Sequence, residues 1–426
     1  MLETRAKELA SFYSKSERQK VPKAQAGVTT GRPVISVRWV DVNKGDQESY
    51  DVRSRHVARE IGGGKNDEFY APTPPLEANR LLFSEAATCR RTGKNEKGLL
   101  FVDARKAYLN AKVDRPTYVE LPAEVSRPGC GGRLNRCMYG TRRAATRWED
   151  VYTHSLERIG FALGRSSPCC FSHQVRDLKL VAHGDDFTIL GTDNDLNFFI
   201  TAIKNEFEVK VRGRLGSGKE DDKSVRILNR IIRWTHQGIR VEADPRHVET
   251  MIKETGLGEA NIVVTPGATN NEGKGELSDA PLEKAAANMY RSCVARANYL
   301  ALDRPDIAFA VNEACRDMSA PTTASWEKIK RVVRYLKGEP RLVYEYRWQG
   351  QEDLTVYVDT DWAGCHKARK STSGGAIVRG CPLLKHWSTT QQSIALSSGE
   401  AELKGILKGA AEGLGLQSVG MDLNTE

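Results

Sequence analysis

Residues 178–191, LKLVAHGDDFTILG, constrain the fold more than any other stretch, because two apolar arms flank a turn that carries Asp185 and Asp186. Arms of this kind read as a hairpin whose strands are buried in a sheet, with the acidic turn at the sheet's end. A second strand of the same type, GLLFVDARKAY at 98–108, runs through four consecutive apolar residues into Asp103. A buried strand that ends in an acid delivers a carboxylate to the exposed end of its sheet. Between the two, AATRWEDVYTHSLERIGF (144–161) places Trp148, Val151, Tyr152, Leu156 and Ile159 on one helical face.

Two carboxylates in one tight turn repel each other unless a cation lies between them. With Asp103 brought alongside, three carboxylates suit a pair of divalent ions about 3.5–4 Å apart, the clamp used in phosphoryl transfer. An Asp-Asp turn taken alone is most often a solvated loop, since Asp favours turns for backbone reasons, and it is the flanking sequence that shifts the reading. Charge points the same way as the metal reading. Lys plus Arg number 64 against 55 Asp plus Glu, a balance of +9 over 426 residues, which suits a polyanionic partner such as nucleic acid. The apolar share of 39% is enough for folded domains and excludes a disordered chain.

No apolar run approaches the roughly 18 residues of a membrane span, and MLETRAKELASFYSKSERQK has no signal-peptide core. A soluble chain that is not secreted and has no membrane partner is expected. The nine cysteines lack paired spacing, and Cys130 with Cys137 has no second pair, so neither a disulfide framework nor a zinc site is expected.

Along the chain, VISVRWVDV (34–42) opens an N-terminal hairpin, and LEANRLLFSEAATCRR keeps a helical period after the APTPP turn. Residues 265–281, TPGATNNEGKGELSDAP, read as a linker and domain boundary. Past it come two helical segments, then strand-like DLTVYVDTDWAG (353–364) and the helix AELKGILKGAAEGLGLQ. Gly213 to Lys219 spells G-x-x-x-x-G-K, but Glu220 stands where a phosphate-binding loop needs Ser or Thr, so the stretch reads as a Gly-rich loop. The run from Lys328 to Arg341 carries six cations against the single acid Glu339, and reads either as a solvated helix face or as a phosphate track.

FVDARKAYLNA and AHGDDF resemble the two catalytic motifs of copia-type (Ty1/copia) retrotransposon reverse transcriptases. Other blocks follow in the same order: RSRHVAREI (53–61) resembles the basic finger strand, MYGTRRAATRWEDVY the Gly-bearing block before the long palm helix, and RIGFALGRSSPCCF the strand lead-in. SCVARANYLALDRPDIAFAVN and WEKIKRVVRYLKG resemble the connecting helices, while VDTDWAGCHKARKSTSGGAIV and WSTTQQSIALSSGEAELKGI resemble the start of the family's RNase H domain. The resemblance runs from about residue 30 to the C-terminus.

It implies an α+β right-hand polymerase, with fingers and palm over 31–264, a helical thumb or connection region over 282–348, and an incomplete RNase H-like α/β domain over 349–426; residues 1–30 are then an N-terminal extension. It implies RNA-directed and DNA-directed DNA synthesis from dNTPs on an RNA template or DNA primer/template, with Mg²⁺ or Mn²⁺, in the cytoplasm, within virus-like particles, or in the nucleus. Asp103, Asp185 and Asp186 are implied as the catalytic and metal-binding carboxylates. Arg53, Arg55, Tyr108 and Gly140 are implied at the substrate, the arginines on the triphosphate and Tyr108 under the incoming sugar, where a ring would collide with a 2′-OH. Asp359 and Glu402 match two carboxylates of a partial RNase H site, with Asp361 and Glu400 close by; the strand bearing the family's next Asp is not reached by Glu426, so RNase H activity is not expected. Two departures stand out: His183-Gly184 precede the Asp pair in place of an aromatic and an aliphatic residue, and Arg142, Arg143, Ala144 and Ala145 replace a Lys-Gln-Ala/Ser-Pro block. Gly184 is expected to loosen the turn. A catalytically decayed remnant that keeps only nucleic-acid binding is the competing expectation.

Overall fold

The computed structural model describes residues 2–15, 19–43, 52–61, 69–91, 96–267, 280–365 and 368–425. Most of the expected 265–281 linker lies outside these residues. The chain divides into two compact units, residues 1–74 with 101–212, and residues 75–100 with 213–426.

In chain order the first part holds α1 (Leu2–Lys15), β1 (Gln19–Pro22), α2 (Lys23–Thr30), β2 (Val37–Asn43), β3 (Val52–Ala58), α3 (Leu76–Arg91), β4 (Gly98–Ala104), β5 (Lys112–Val119) and β6 (Cys130–Arg136). Next come α4 (Ala144–Ile159), β7 (Phe161–Leu163), β8 (Cys170–His173), β9 (Lys179–His183), β10 (Asp186–Gly191), α5 (Asp193–Glu206) and β11 (Val209–Leu215). The remainder comprises β12 (Ser224–Ile227), β13 (Arg230–Trp234), β14 (Gly238–Ala243), α6 (Arg246–Thr255), α7 (Lys284–Leu300), α8 (Pro305–Cys315), α9 (Thr323–Gly338), β15 (Val343–Arg347), β16 (Leu354–Thr360), β17 (Thr372–Arg379), β18 (Leu383–Thr390) and α10 (Ser398–Asp422).

The first unit is built on a six-stranded sheet in the order β11-β4-β10-β9-β8-β7. Its central strands are apolar on successive positions because they are buried on both faces: Phe101 and Val102, Leu180 to Ala182, and Phe187 to Leu190 are all shielded from solvent. Helix α4 contributes Trp148, Tyr152 and Leu156 to this core, and α5 contributes Leu196, Phe199 and Ile203. Thr192 starts α5 by accepting a hydrogen bond from the Asp195 backbone N–H, and Gly160 ends α4 at φ 109°. β2 and β3 form the expected hairpin, with Val40 opposite Arg55.

The segment read as an N-terminal extension is part of the fold. β1 pairs antiparallel with β6, Val21 opposite Gly131, in a three-stranded sheet with β5, and α1 packs on β3, where Thr4 and Ser54 share a hydroxyl hydrogen bond of 2.9 Å. Four residues, QKVP, carry no periodicity from which that pairing could be read.

In the second unit, α6 to α9 pack around Tyr290, Val294, Ile307, Val311, Ile329 and Val333. A four-stranded sheet, β12-β13-β14-β15, and a three-stranded sheet, β16-β17-β18, complete it. Helix α10 lies on β16 through Gly405, Gly409 and Gly413, whose missing side chains leave room for Thr360, Val358 and Val356. In the Gly-rich stretch before β12, Gly218 N–H donates to Asp221 Oδ2 at 2.8 Å, so the chain's own carboxylate takes the amide a phosphate would need.

Candidate active site

β9 and β10 pair with His183 opposite Asp186, which leaves Gly184 and Asp185 as a two-residue hairpin turn. Gly184 has φ 64°, the positive first position that a type II′ turn assigns to glycine, so this residue fits the turn rather than loosening it. The indole of Trp148 donates to the Gly184 carbonyl at 2.9 Å, tying the turn to α4.

Asp103 reaches the same place from β4. Ala104 N–H donates to the Asp185 carbonyl at 2.7 Å, so the strand end bearing Asp103 and the turn bearing Asp185 and Asp186 are neighbours by backbone hydrogen bonding. Carboxylate oxygens are hard donors of the kind that Mg²⁺ or Mn²⁺ takes. A cation of the chain's own stands at this sheet end: Arg212 on β11 donates from Nη2 to Asp103 Oδ1 at 2.5 Å. Burial works against the charge on Arg212, yet its hydrogen bond to Asp103 and the fields of Asp103, Asp186 and Asp185 push its pKa above the ordinary value. Among the described residues no three His, Cys, Asp or Glu side chains are already gathered as a ligand set.

Beside the acids lies an aromatic and cationic cluster. Tyr108 comes from a short 3-10 turn, Ala107–Asn110, entered through Lys106 at φ 54°, and its ring lies 4.9 Å from that of Tyr139. The Arg55 guanidinium sits 5.0 Å from the Tyr139 ring centre. Burial raises the Tyr108 pKa, Asp185 raises it further, and Arg55 opposes both. The Tyr139 hydroxyl is pushed up to about 12, chiefly by burial. Arg55, Tyr108 and the Asp185 turn are therefore within one another's fields. Arg53 shares the outward alternation of Arg55 on β3.

Sequence reasoning missed Glu8 of α1. Burial raises its pKa while Lys106, Arg53 and Arg55 pull it down, so an acid of the N-terminal helix stands among the cations of β3 and Lys106. A lone Glu in a polar helix gives no signal of this. Gly140 has a backbone reason for its identity: at φ 83°, a Cβ there would meet the Ala58 carbonyl oxygen at 2.0 Å. That closeness lets Ala58 N–H donate to Tyr139 O at 2.8 Å and Glu60 N–H to Gly140 O at 3.3 Å, which docks the Tyr139 turn on β3. The arginines that depart from the family block are engaged in the fold. Arg142 N–H donates to Glu60 Oε2 and its guanidinium stacks 3.9 Å from the Phe69 ring centre, while Arg143 pairs with Asp114 at 2.7 Å.

Asp359 and Glu402 are both exposed. Val356, Val358 and Thr360 are the β16 residues that meet the glycines of α10, so alternation turns Asp359 toward the opposite sheet face from the helix that carries Glu402. The structure does not bring this pair together. Asp361 caps its own loop, accepting from Thr372 N–H, and Glu400 accepts from Leu396 N–H at 2.8 Å.

Residues 27–268 match the family model described as reverse transcriptase (RNA-dependent DNA polymerase). The chain is 26% identical over 393 residues to the retrovirus-related Pol polyprotein from transposon RE2 of Arabidopsis thaliana, covering 89% of this chain and 26% of that protein. It is 25% identical over 406 residues to the corresponding polyprotein from transposon TNT 1-94 of Nicotiana tabacum, covering 87% and 28%. The chain thus spans about a quarter of the length of these relatives. A solved foamy viral protease-reverse transcriptase dRH in complex with dsDNA aligns with a TM-score of 0.48 at 11% identity, over 93% of this chain and 59% of that one. With more than half its length inside the family model and Pol polyproteins of plant retrotransposons as relatives, this chain belongs to the reverse transcriptase family, as a copia-type retrotransposon reverse transcriptase region.

Proposed function

We propose that this chain is an active RNA-directed and DNA-directed DNA polymerase that extends a primer 3′-hydroxyl with dNTPs on an RNA template or DNA primer/template, releasing pyrophosphate. The observation that carries the reading is the 2.7 Å hydrogen bond from Ala104 N–H to Asp185 O, which sets Asp103 beside the Asp185-Asp186 turn at one sheet end. Asp103, Asp185 and Asp186 would hold Mg²⁺ or Mn²⁺, which when bound lowers the pKa of the attacking hydroxyl and offsets charge on the leaving pyrophosphate.

The remaining work falls to side chains. Arg55, with Arg53 on the same face of β3, binds triphosphate oxygens, where a guanidinium can bridge two at once. Tyr108, held by Tyr139, lies under the sugar and excludes a 2′-OH by shape. Gly140 acts on the substrate indirectly, by letting the Tyr139 turn close on β3. Residues 31–264 serve as fingers and palm, 282–348 as the connection, and 349–426 as an RNase H-like domain not expected to cleave, a reading supported by the alternation that turns Asp359 from the face of β16 covered by α10.

Primer extension on an RNA template with dNTPs and Mg²⁺ tests the reading. Extension by the wild-type chain and its loss, by about a thousandfold or more, in Asp185→Asn is the expected result. Equal extension by both, or none by either in folded protein, overturns it.

A further inference from the structure

Arg212 lies on β11, the edge strand of the six-stranded sheet, next to the strand that carries Asp103. Its guanidinium reaches across to Asp103 Oδ1 at 2.5 Å, and the two side chains are 36% and 14% exposed. A charge-assisted bond of this length to a largely covered carboxylate is stronger than a solvated surface pair. The contrast lies one residue beyond the same strands: Arg105, just after β4, and Glu208, just before β11, pair at 2.9 Å, but both are about half exposed and neither belongs to the acidic trio.

The charge count explains what Arg212 does there. Asp103, Asp185 and Asp186 would place three negative charges at one sheet end, and a metal-free chain has to offset them by other means. Arg212 offsets one, and it holds the Asp103 carboxylate in a fixed place while doing so. The cost arises when a divalent ion arrives, because a carboxylate oxygen already accepting a guanidinium N–H is a poorer ligand and a nearby positive charge repels the ion.

Resting on the polymerase reading above, we propose that Arg212 is a positioning residue that stands in for the cation in the metal-free chain. It keeps Asp103 in place and must release it for a divalent ion to bind, so Arg212 sets the ion concentration at which the site fills. A side chain one-third exposed on an edge strand has solvent to swing into, so the exchange needs no rearrangement of the core.

The test is a titration of the full chain with Mn²⁺ in the absence of nucleic acid and dNTP, following free Mn²⁺ by its EPR signal, for the wild type, Arg212→Gln, Arg212→Lys and Asp185→Asn. Arg212→Gln is expected to bind Mn²⁺ about tenfold more tightly than wild type, the order of effect of removing one adjacent unit charge. Arg212→Lys keeps the charge and is expected within about threefold of wild type, which separates charge from any disturbance of the edge strand. In primer extension, the Mg²⁺ concentration for half-maximal rate should fall with Arg212→Gln by a similar factor. If Asp185→Asn weakens Mn²⁺ binding but Arg212→Gln leaves it unchanged or weaker, the Arg212 inference fails and the polymerase reading stands. If wild type and Asp185→Asn bind Mn²⁺ equally, the acids are not a metal site and both fail.

Discussion

The Trp148 indole N–H and the Gly184 carbonyl oxygen, 2.9 Å apart, join the largest buried side chain of α4 to the turn that carries Asp185. Trp148 is itself fixed edge-on against Tyr152 and Phe207, so the turn inherits the rigidity of the core. Trp148→Phe keeps an aromatic but removes the donor, and leaves the Gly184 carbonyl without its indole partner. A loss of about 2 kcal/mol is expected in urea unfolding, from the hydrogen bond and the smaller ring together. Gly184→Ala tests the turn by itself. A Cβ there meets nothing within 4 Å, so only the φ of 64° is strained, and about 1 kcal/mol is expected. A neutral Gly184→Ala would mean that the turn does not need glycine.

Much of this site is legible in the sequence, and the parts that are not share a physical cause. The hairpin at 178–191 and the strand into Asp103 are readable because strands buried on both faces lose their alternation and show as apolar runs. The role of Gly184 is misread as loosening because a glycine in a turn looks the same whether it is idle or holds a positive φ. Arg212 is invisible within EVKVRGRL, since a cation on an alternating edge strand looks solvated until its neighbour across the sheet is known. Glu8 and β1 are invisible for a related reason: their partners, the β3 cations and β6, are remote in sequence.

Gly140 makes a sharper demand than Gly184. Its φ of 83° is strained for any side chain, and a Cβ would meet backbone, the Ala58 carbonyl oxygen at 2.0 Å, rather than a side chain able to turn aside. Gly140→Ala should therefore push the Tyr139 turn off β3, at about 3 kcal/mol or more. Dissolving the Tyr139 and Arg55 arrangement should also raise the KM for dNTP. Unfolding and steady-state kinetics on the same preparation check this; wild-type values in both would show that the strand yields cheaply.

Tyr108 offers a test of selectivity. Its ring is held by Tyr139 and sits in the field of Asp185, and under the proposed function it meets the sugar of the incoming nucleotide. Tyr108→Ala is expected to improve the use of ribonucleotides over dNTPs by about a hundredfold, the order of a lost steric exclusion of 2–3 kcal/mol, with a small loss of dNTP use. Single-nucleotide extension with rNTP and dNTP measures both. Unchanged discrimination with lowered stability would assign the ring to the core alone.

Glu149 gives the chain a pH dependence of known sign. Burial, with Asp150 next to it, raises its carboxyl from 4.5 to about 7. The folded chain keeps this proton over a range where the unfolded chain has lost it. Its contribution to stability is therefore full below about pH 4.5 and lost as pH rises through about 7. Glu149→Gln removes the ionisation, and should be more stable than wild type at pH 8 by on the order of 1–2 kcal/mol after allowance for solvent screening, with little difference at pH 4.5. Urea unfolding of both proteins across that range decides it, and parallel curves would place the carboxyl in water.

The second unit depends on one carboxylate in the same way that the first depends on its turn. Asp303, 6% exposed, accepts from Arg80 at 3.2 Å and from two atoms of Arg230 at 2.9 and 2.8 Å, and both arginines are nearly as covered. Arg80 spends its other donors on the Leu384 carbonyl at 3.0 Å and the Leu302 carbonyl at 2.6 Å, with its guanidinium 4.9 Å from the Tyr344 ring centre. Residues as remote in sequence as α3, β13 and β18 are thereby tied at one point. Removing the acid leaves two covered guanidinium groups facing each other without their shared counter-ion, so Asp303→Ala should cost about 3–5 kcal/mol. Asp303→Asn keeps an acceptor oxygen and should cost less. Adding Arg230→Met to Asp303→Ala removes one stranded charge and should recover part of the loss, so the double variant is expected to be more stable than Asp303→Ala alone. Urea unfolding of the three variants orders them; a double variant no more stable than Asp303→Ala would show that water already reaches the triad and screens it.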